Sequence, residues 1–155
     1  MKRNIGYTLC ALLFSFASAQ SIYAADPMRI PGIIEVEDFD EGEDGVAYHD
    51  EDDVNEGGVY RTNVGVDIDT CAGGGYVIGW THKGEWMSYT VNVEKDGAYT
   101  FSALVASGLN GSAFSLSIDG EAITSKVEAP NTGDWTTYKS DSWIQTMLTG
   151  MAVAM

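Results

Sequence analysis

The sequence predicts an all-β fold, a β-sandwich of the jelly-roll type that lacks its last strands. Apolar and polar residues alternate in short runs, most clearly over residues 86–93, 99–105 and 114–118. The turn-forming pairs Asp96-Gly97 and Asp119-Gly120 separate these runs. No segment after residue 25 carries the apolar repeat of an amphipathic helix. Short strands at roughly ten-residue spacing, with turns between them, are typical of sandwiches and jelly rolls.

The predicted strands follow one another along the chain. They cover residues 33–39, 58–62, 64–68, 76–80, 86–93, 99–105, 114–118, 122–129 and 135–139. An acidic, glycine-containing loop separates the first two strands, and the glycines at 73–75 predict a turn before the fourth. On the first strand, Glu35 and Glu37 share one face about 7 Å apart, because side chains alternate along a strand.

Residues 141–155 depart from this pattern. They neither alternate nor end on a turn, and the last nine residues hold three of the six methionines. A sandwich that ends here has an unpaired edge strand. We therefore expect a domain over residues 30–140, followed by an atypical tail with a truncated or frame-shifted end.

The N-terminal segment predicts a secretory signal peptide over residues 1–25. Two basic residues precede an apolar run over residues 5–17, and small residues follow it. Cleavage after Ala19, Ala24 or Ala25 fits this layout, and we favour the two later sites because they also remove an apolar Ile-Tyr pair. An uncleaved membrane anchor is the alternative, although the run is shorter than the roughly 20 residues that span a bilayer. The predicted location is extracellular or periplasmic.

Charge and cysteine content narrow the expected partners. The chain has 23 acidic and 8 basic residues, a net charge of −15, and every acidic residue lies after residue 25. Such a surface repels phosphate backbones and anionic lipids, so we expect neither nucleic acid nor membrane as a partner. Only Cys71 remains after the signal peptide, so an internal disulfide is excluded. A small secreted domain without a disulfide needs another source of stability, and a bound metal ion is the candidate.

The acidic residues do not predict an enzyme. Glu35 and Glu37 have the spacing of a glycosidase pair, roughly 5–10 Å, but 23 acidic residues make such pairs unavoidable. About 130 residues are few for a cleft with catalytic walls. Neither His49 nor His82 accompanies a serine in a nucleophile-elbow setting.

The same carboxylates could hold calcium. An EF-hand loop is excluded, because Val54 and Cys71 stand where loops that begin at Asp50 and Asp67 need an oxygen ligand. What remains is the pair Glu35 and Glu37, which could bind one cation with the help of backbone carbonyls. Two solvated carboxylates on a strand are an equally acceptable interpretation of this pair.

Two aromatic residues have the setting of a sugar-binding platform. Sugars present apolar C–H faces and hydroxyl rims, so their sites combine an exposed ring with a few polar groups. Tyr60 follows two glycines, and Trp135 lies between a polar loop and two threonines. Trp86 and Trp80, in contrast, are expected in the core.

Six segments come in the order and spacing of a known family. They are IPGIIEVEDF (30–39), GVAYHD (45–50), NEGGVYR (55–61), VDI (66–68), GYVIGW (75–80) and GEWMSYTVNV (84–93). Over residues 30–139 the chain resembles carbohydrate-binding module family 6, whose members are jelly rolls attached to secreted glycoside hydrolases. The resemblance implies non-catalytic binding that targets a hydrolase to xylan, β-glucan or agarose. A calcium-dependent structural or adhesion domain, or an inactive remnant of a hydrolase, remains an alternative.

The resemblance also implies roles for particular residues. Glu35, Glu37 and the backbone carbonyl of Arg61 would hold a structural calcium ion, and Tyr60 and Trp135 would clamp a sugar ring. The family places an Asn that binds the sugar and an Asp that completes the calcium shell near the C-terminus. After Ser140 the chain has no Asn and only Asp141. We therefore expect weaker folding and weaker binding than the family pattern implies.

Overall fold

The structure is a computed structural model that describes residues 20–23, 26–148 and 152–154. Throughout this part of the chain the regular structure is β-strand, apart from one 3₁₀ turn at Val36–Asp38. The predicted all-β fold is therefore confirmed. In the described ranges there is no helix long and apolar enough to cross a membrane. The predicted signal peptide lies outside the described residues except for residues 20–23.

The described residues form thirteen short strands. In chain order they are β1 (Met28–Ile30), β2 (Tyr48–His49), β3 (Ile68–Thr70), β4 (Tyr76–Ile78), β5 (Trp86–Met87), β6 (Thr90–Val93), β7 (Gly97–Val105), β8 (Ala113–Phe114), β9 (Ser117–Ile118), β10 (Glu121–Ala122), β11 (Val127–Glu128), β12 (Lys139–Leu148) and β13 (Ala152–Ala154). Strand β6 lies between β1, which is parallel to it, and β13, which is antiparallel. The other strands form antiparallel pairs: β2 with β5, β3 with β4, β7 with β12, β8 with β11, and β9 with β10.

The turn residues define the shortest hairpin. Strands β9 and β10 pair across Asp119-Gly120, as the sequence predicts. Both residues have positive φ, 50° and 80°, which is the backbone of a two-residue hairpin turn and favours glycine at the second position. Asp96-Gly97 instead connects β6 and β7, which pair with other strands.

The C-terminal segment carries the domain past residue 140. Strand β12 begins at Lys139, pairs with β7 along its whole length, and crosses that boundary without a break. The register shifts between Ser142 and Ile144. An irregularity of this kind adds a residue to one strand and interrupts the two-residue alternation. This is why the sequence over residues 141–148 does not look like a strand.

Two apolar clusters form the core. The larger joins residues of β2 and of the loops on either side of it to the start of β3. Its buried members are Phe39, Ala47, Tyr48, Val64, Val66 and Ile68. The smaller consists of Ile30 on β1 with Val91 and Val93 on β6. The larger cluster supports the segment that follows Val36–Asp38, where the candidate site lies.

The prediction of a strand over residues 33–39 is wrong. Residues 36–38 form a 3₁₀ turn closed by the N–H of Asp38, which donates to the carbonyl oxygen of Glu35. Glu35 is exposed and Glu37 is buried, so the two do not share a strand face. The predicted strands over residues 58–62 and 64–68 are also absent from the described structure, except for Ile68 at the start of β3.

The two tryptophans expected in the core are exposed. Trp80 is 52% exposed and has a positive φ of 47° in the loop after β4. Trp86 on β5 is also exposed. The expectation that they are buried is therefore wrong: tryptophan is usually a core residue, but the loop after β4 and the two-residue strand β5 leave these side chains at the surface.

Candidate functional site

A cavity of about 460 Å³ lies beside the 3₁₀ turn, on the edge of the larger core cluster. Its lining residues are Glu35, Glu37, Asp38, Tyr60, Gly74, Gly75 and Tyr76. The volume falls in the range of small-ligand pockets, roughly 300–1,000 Å³. One wall is acidic and the other aromatic, so the cavity combines the two candidate groups of the sequence.

The carboxylates of the acidic wall lie close to one another, and one of them is buried. Burial raises the pKa of the Glu37 carboxyl above its usual value, and the negative charges of Glu35 and Asp38 raise it further. Backbone N–H groups, its own and that of Tyr76, oppose part of this shift. A carboxylate held in this way is stabilised in its charged form by a cation.

The residues of this wall fit calcium. Calcium prefers oxygen ligands, six to eight of them, with carboxylates and backbone carbonyls the usual protein donors. Glu35, Glu37 and Asp38 bring three carboxylates to one cavity. The carbonyl oxygen of Arg61 already accepts a hydrogen bond from the N–H of Val64 at 3.1 Å. Its role as a calcium ligand stays a prediction.

The aromatic wall is a stacked pair of tyrosines. The rings of Tyr60 and Tyr76 lie 4.3 Å apart between centroids and 14° from parallel. The Tyr60 hydroxyl donates to Asp38 Oδ1 at 2.8 Å, and burial raises the pKa of Tyr60, so the hydroxyl stays protonated. Asn55 Nδ2 donates to the Tyr60 carbonyl at 3.0 Å. Tyr60 is therefore held by hydrogen bonds at both its hydroxyl and its backbone carbonyl. Tyr76 presents the more exposed ring of the pair.

Arg61 lies beneath the acidic wall and supports it through its side chain. The guanidinium, whose side chain is 2% exposed, donates to the carbonyl oxygens of Glu37 and Asp40 at 3.3 Å each and to that of Phe39. It lies 3.7 Å from the centre of the Phe39 ring and pairs with Glu41 at 3.6 Å. Burial lowers the pKa of Arg61 from its usual value. Its hydrogen bonds fix the backbone that presents Glu37 and Asp38.

Residues 20–23 pack against the same region. The backbone of Ser21 exchanges two hydrogen bonds with Glu41, at 2.8 and 2.6 Å. The ring of Tyr23 meets the Tyr60 ring edge-on at 6.1 Å, and the Arg61 guanidinium lies 4.1 Å from its centre. This segment therefore places a second aromatic ring against Arg61, in addition to that of Phe39.

Trp135 is presented as an open platform. Its ring lies on the backbone of Gly108, where a Cβ atom would meet three ring carbons at 3.0–3.1 Å. Trp135 is nevertheless 67% exposed. One face of the ring thus rests closely on a glycine, where an added Cβ would require the ring to shift slightly, and the side chain remains open to a ligand.

The loops beneath Trp135 are tied together by polar groups. Thr132 and Ser107 share three hydrogen bonds of 2.8–3.2 Å that involve both backbones and the Thr132 hydroxyl. Asn131 Nδ2 donates to Asn110 Oδ1 at 3.1 Å, which places two exposed amides on the same loops. Asp134 accepts from the N–H groups of residues 136 and 137, and these bonds lower its pKa.

The structure brings together part of the predicted site. Glu35, Glu37 and Tyr60 line one cavity, and Arg61 supports it from below. Trp135 is not among the residues that line this cavity.

Sequence reasoning missed three residues. Tyr76 follows a run of glycines just as Tyr60 does, and the same criterion could have identified it. Asp38 lies between the two predicted ligands and the core in sequence, and alternation along a strand would turn it away from Glu37. Asn110 gave no local signal.

Comparisons with known proteins identify the family of the chain. The sequence model described as carbohydrate binding module (family 6) matches residues 56–152. A crystal structure of a family 6 carbohydrate-binding module from Clostridium cellulolyticum in complex with xylose is 29% identical to the chain. It matches with a TM-score of 0.44, over 59% of this chain and 73% of that chain. No curated protein matches the chain. The family match and the strand content confirm the predicted β-sandwich.

Proposed function

The chain belongs to carbohydrate-binding module family 6, and we propose that it binds a neutral polysaccharide through Tyr60, Tyr76 and Trp135. Family membership supports carbohydrate binding without catalysis. The finer proposal concerns the ligand, a plant or algal polysaccharide of the xylan, β-glucan or agarose class, and the role, which is to hold a secreted glycoside hydrolase on that substrate.

The cavity that joins stacked tyrosines to carboxylates carries this proposal. An aromatic face binds the apolar C–H side of a sugar ring, while carboxylate oxygens accept hydrogen bonds from its hydroxyl groups. Tyr76 supplies the exposed ring, and the carboxylate oxygens that calcium would leave free supply acceptors at the same cavity. A neutral sugar also suits the negative charge of the chain, because an anionic ligand would be repelled.

The loops beside Trp135 supply further polar groups. Asn110 and Asn131 each offer an amide on the loops that carry the ring. An amide both donates and accepts, which is what adjacent sugar hydroxyls require. This pair can therefore supply polar contacts to a sugar that stacks on the Trp135 ring.

Affinity electrophoresis against xylan, laminarin, lichenan and agarose tests the proposal. Retardation by one of these polysaccharides identifies the ligand class, and repetition with a calcium chelator shows whether binding needs the metal. A calcium-dependent adhesion domain, the alternative, predicts that the folded protein is retarded by none of them. Release of reducing sugar from the retained polysaccharide would contradict the non-catalytic assignment.

We expect calcium to stabilise the protein through Glu37. At a calcium concentration about 100 times its Kd, linkage adds about 2.7 kcal/mol to the free energy of unfolding. Glu37→Gln should lose most of this increment. Without calcium the same variant should be as stable as the parent or more so, because it removes a buried charge whose pKa is raised. Thermal unfolding with calcium and with chelator measures both effects.

The pH dependence has a defined sign. Because the pKa of Glu37 is raised in the folded protein, protonation favours the folded state, and the calcium-free protein gains stability as the pH falls through this pKa. Protons and calcium compete, so the calcium increment disappears over the same range. Glu121→Gln, at an exposed position outside the cavity, is the control and should keep the full increment. An increment equal in Glu37→Gln and the parent would contradict the calcium assignment.

We also propose that the protein is exported, and that the signal peptide is cleaved after Ala19. Cleavage at the later sites would remove Ser21 and Tyr23. The protein would then lose two backbone hydrogen bonds to Glu41 and the contact between the Tyr23 ring and the Arg61 guanidinium. Intact-mass spectrometry of the secreted protein should give a chain that begins at Gln20. A chain that begins at Ala25 or Asp26 would show that these contacts do not select the site.

A further inference from the structure

Outside the sugar-binding cavity, one cluster of side chains has the composition of a transition-metal site. Glu51, His82 and Glu85 each bring one ligand atom to within 4.8 Å of the others. None of the three lines the cavity beside the 3₁₀ turn. The strand pair β2–β5 places them, because the register His49↔Trp86 brings the loop after β2 next to the loop before β5.

The distances in this cluster match those between the ligands of one metal ion. His82 Nδ1 lies 3.3 Å from Glu51 Oε2 and 3.6 Å from Glu85 Oε1. Two ligand atoms bound at about 2.1 Å to a tetrahedral zinc ion are roughly 3.4 Å apart. A single imidazole nitrogen can donate only one proton, yet here it faces two carboxylates from different loops. A metal ion would satisfy all three groups at once.

Glu85 is held in place by the backbone. Its Oε2 accepts from the N–H of His82 at 2.7 Å, and its Oε1 accepts from the N–H of Glu51 at 3.4 Å. The side chain is only 12% exposed. The carboxylate therefore joins both loops before any ion binds, which reduces the ordering that binding requires.

We propose that Glu51, His82 and Glu85 form a binding site for one zinc-like divalent ion, with water as the remaining ligand. One imidazole and two carboxylates are a ligand set that zinc accepts, whereas calcium prefers oxygen ligands alone. The ion would tie the loop before β5 to the loop after β2 and stabilise this edge of the protein.

Isothermal titration with ZnCl₂ tests the proposal, with the protein purified without a histidine tag and with calcium present in excess. We expect one zinc ion per chain, and a rise in melting temperature that calcium does not reproduce. Loss of an outer partner of a metal ligand costs roughly 10–100-fold in affinity, so His82→Ala, which removes a ligand, should cost at least that. The His82 side chain is well exposed, so this variant is expected to fold.

His49→Ala is the matched control. His49 is also exposed and pairs with a single carboxylate, Asp44, at 2.9 Å, so it lacks the second acidic ligand. This variant should bind zinc as the parent does. Absence of zinc binding, or binding that both variants weaken equally, would overturn the proposal. In Co²⁺-loaded protein, the intense visible bands of a tetrahedral site should appear in the parent and not in His82→Ala.

Discussion

Trp135→Ala is expected to abolish retardation by the polysaccharide that the parent protein binds. The ring is 67% exposed and rests on Gly108, so it is already in place when the sugar arrives. Truncation of such an aromatic anchor costs roughly 2 kcal/mol or more, which is about thirtyfold in Kd. Electrophoresis of the variant in gels that contain the ligand measures the loss.

Trp80→Ala is the matched control for this experiment. Trp80 is a second exposed tryptophan and lies in the loop after β4, whereas Trp135 lies in the loop before β12. Replacement of Trp80 should leave the retardation unchanged. Full retardation of Trp135→Ala would show that the platform is not used.

Arg61→Ala is expected to lower the free energy of unfolding by about 3–5 kcal/mol. The guanidinium binds three backbone carbonyls and packs between two aromatic rings, and its removal leaves buried acceptors without a donor. The free energy of unfolding of a domain is roughly 5–15 kcal/mol, so Arg61→Ala would remove a large fraction of it. The melting temperature should fall by about 10–20 °C. Chemical denaturation at neutral pH measures the change.

Arg29→Ala is the control for the loss of an arginine. Its side chain is 73% exposed and pairs with Glu94 at 3.3 Å on the surface. An ion pair of this kind contributes at most about 1 kcal/mol, so the variant should unfold close to the parent. If Arg61→Ala were equally mild, the carbonyl contacts would not be what holds the 3₁₀ turn.

Local features of the fold were predictable from the sequence. Asp119-Gly120 defines its hairpin because turn geometry depends on only two residues. The alternation over residues 99–105 correctly predicts β7, since one face of that strand is more buried than the other. Such signals lie within a few residues of one another and need no knowledge of the rest of the chain.

Features that depend on distant residues were not predictable in this way. Residues 33–39 alternate like a strand, but Arg61, 22 residues beyond Phe39, collects the carbonyl oxygens of this segment and fixes a turn. This 3₁₀ turn brings Asp38 within hydrogen-bond distance of the Tyr60 hydroxyl, a contact that the predicted strand would not allow.

The site divides in the same manner. Family motifs identify Tyr60, Glu35 and Glu37, and the structure places all three at one cavity. The stacking of Tyr76 on Tyr60 comes from the hairpin of β3 and β4, whose partners are set by register and not by composition. The place of Trp135 depends on loops held by Thr132 and Ser107, which sequence periodicity does not describe.

Carbohydrate binding by Tyr60 and Trp135 can be measured by isothermal titration with an oligosaccharide of the polysaccharide retained in the gel. We expect one binding site per chain in the parent protein, with Kd raised beyond detection in Tyr60→Ala and in Trp135→Ala. Both variants should keep the folded state of the parent in circular dichroism. Absence of binding heat from folded parent protein, or unchanged affinity in both variants, would contradict the assignment of a carbohydrate site to these residues.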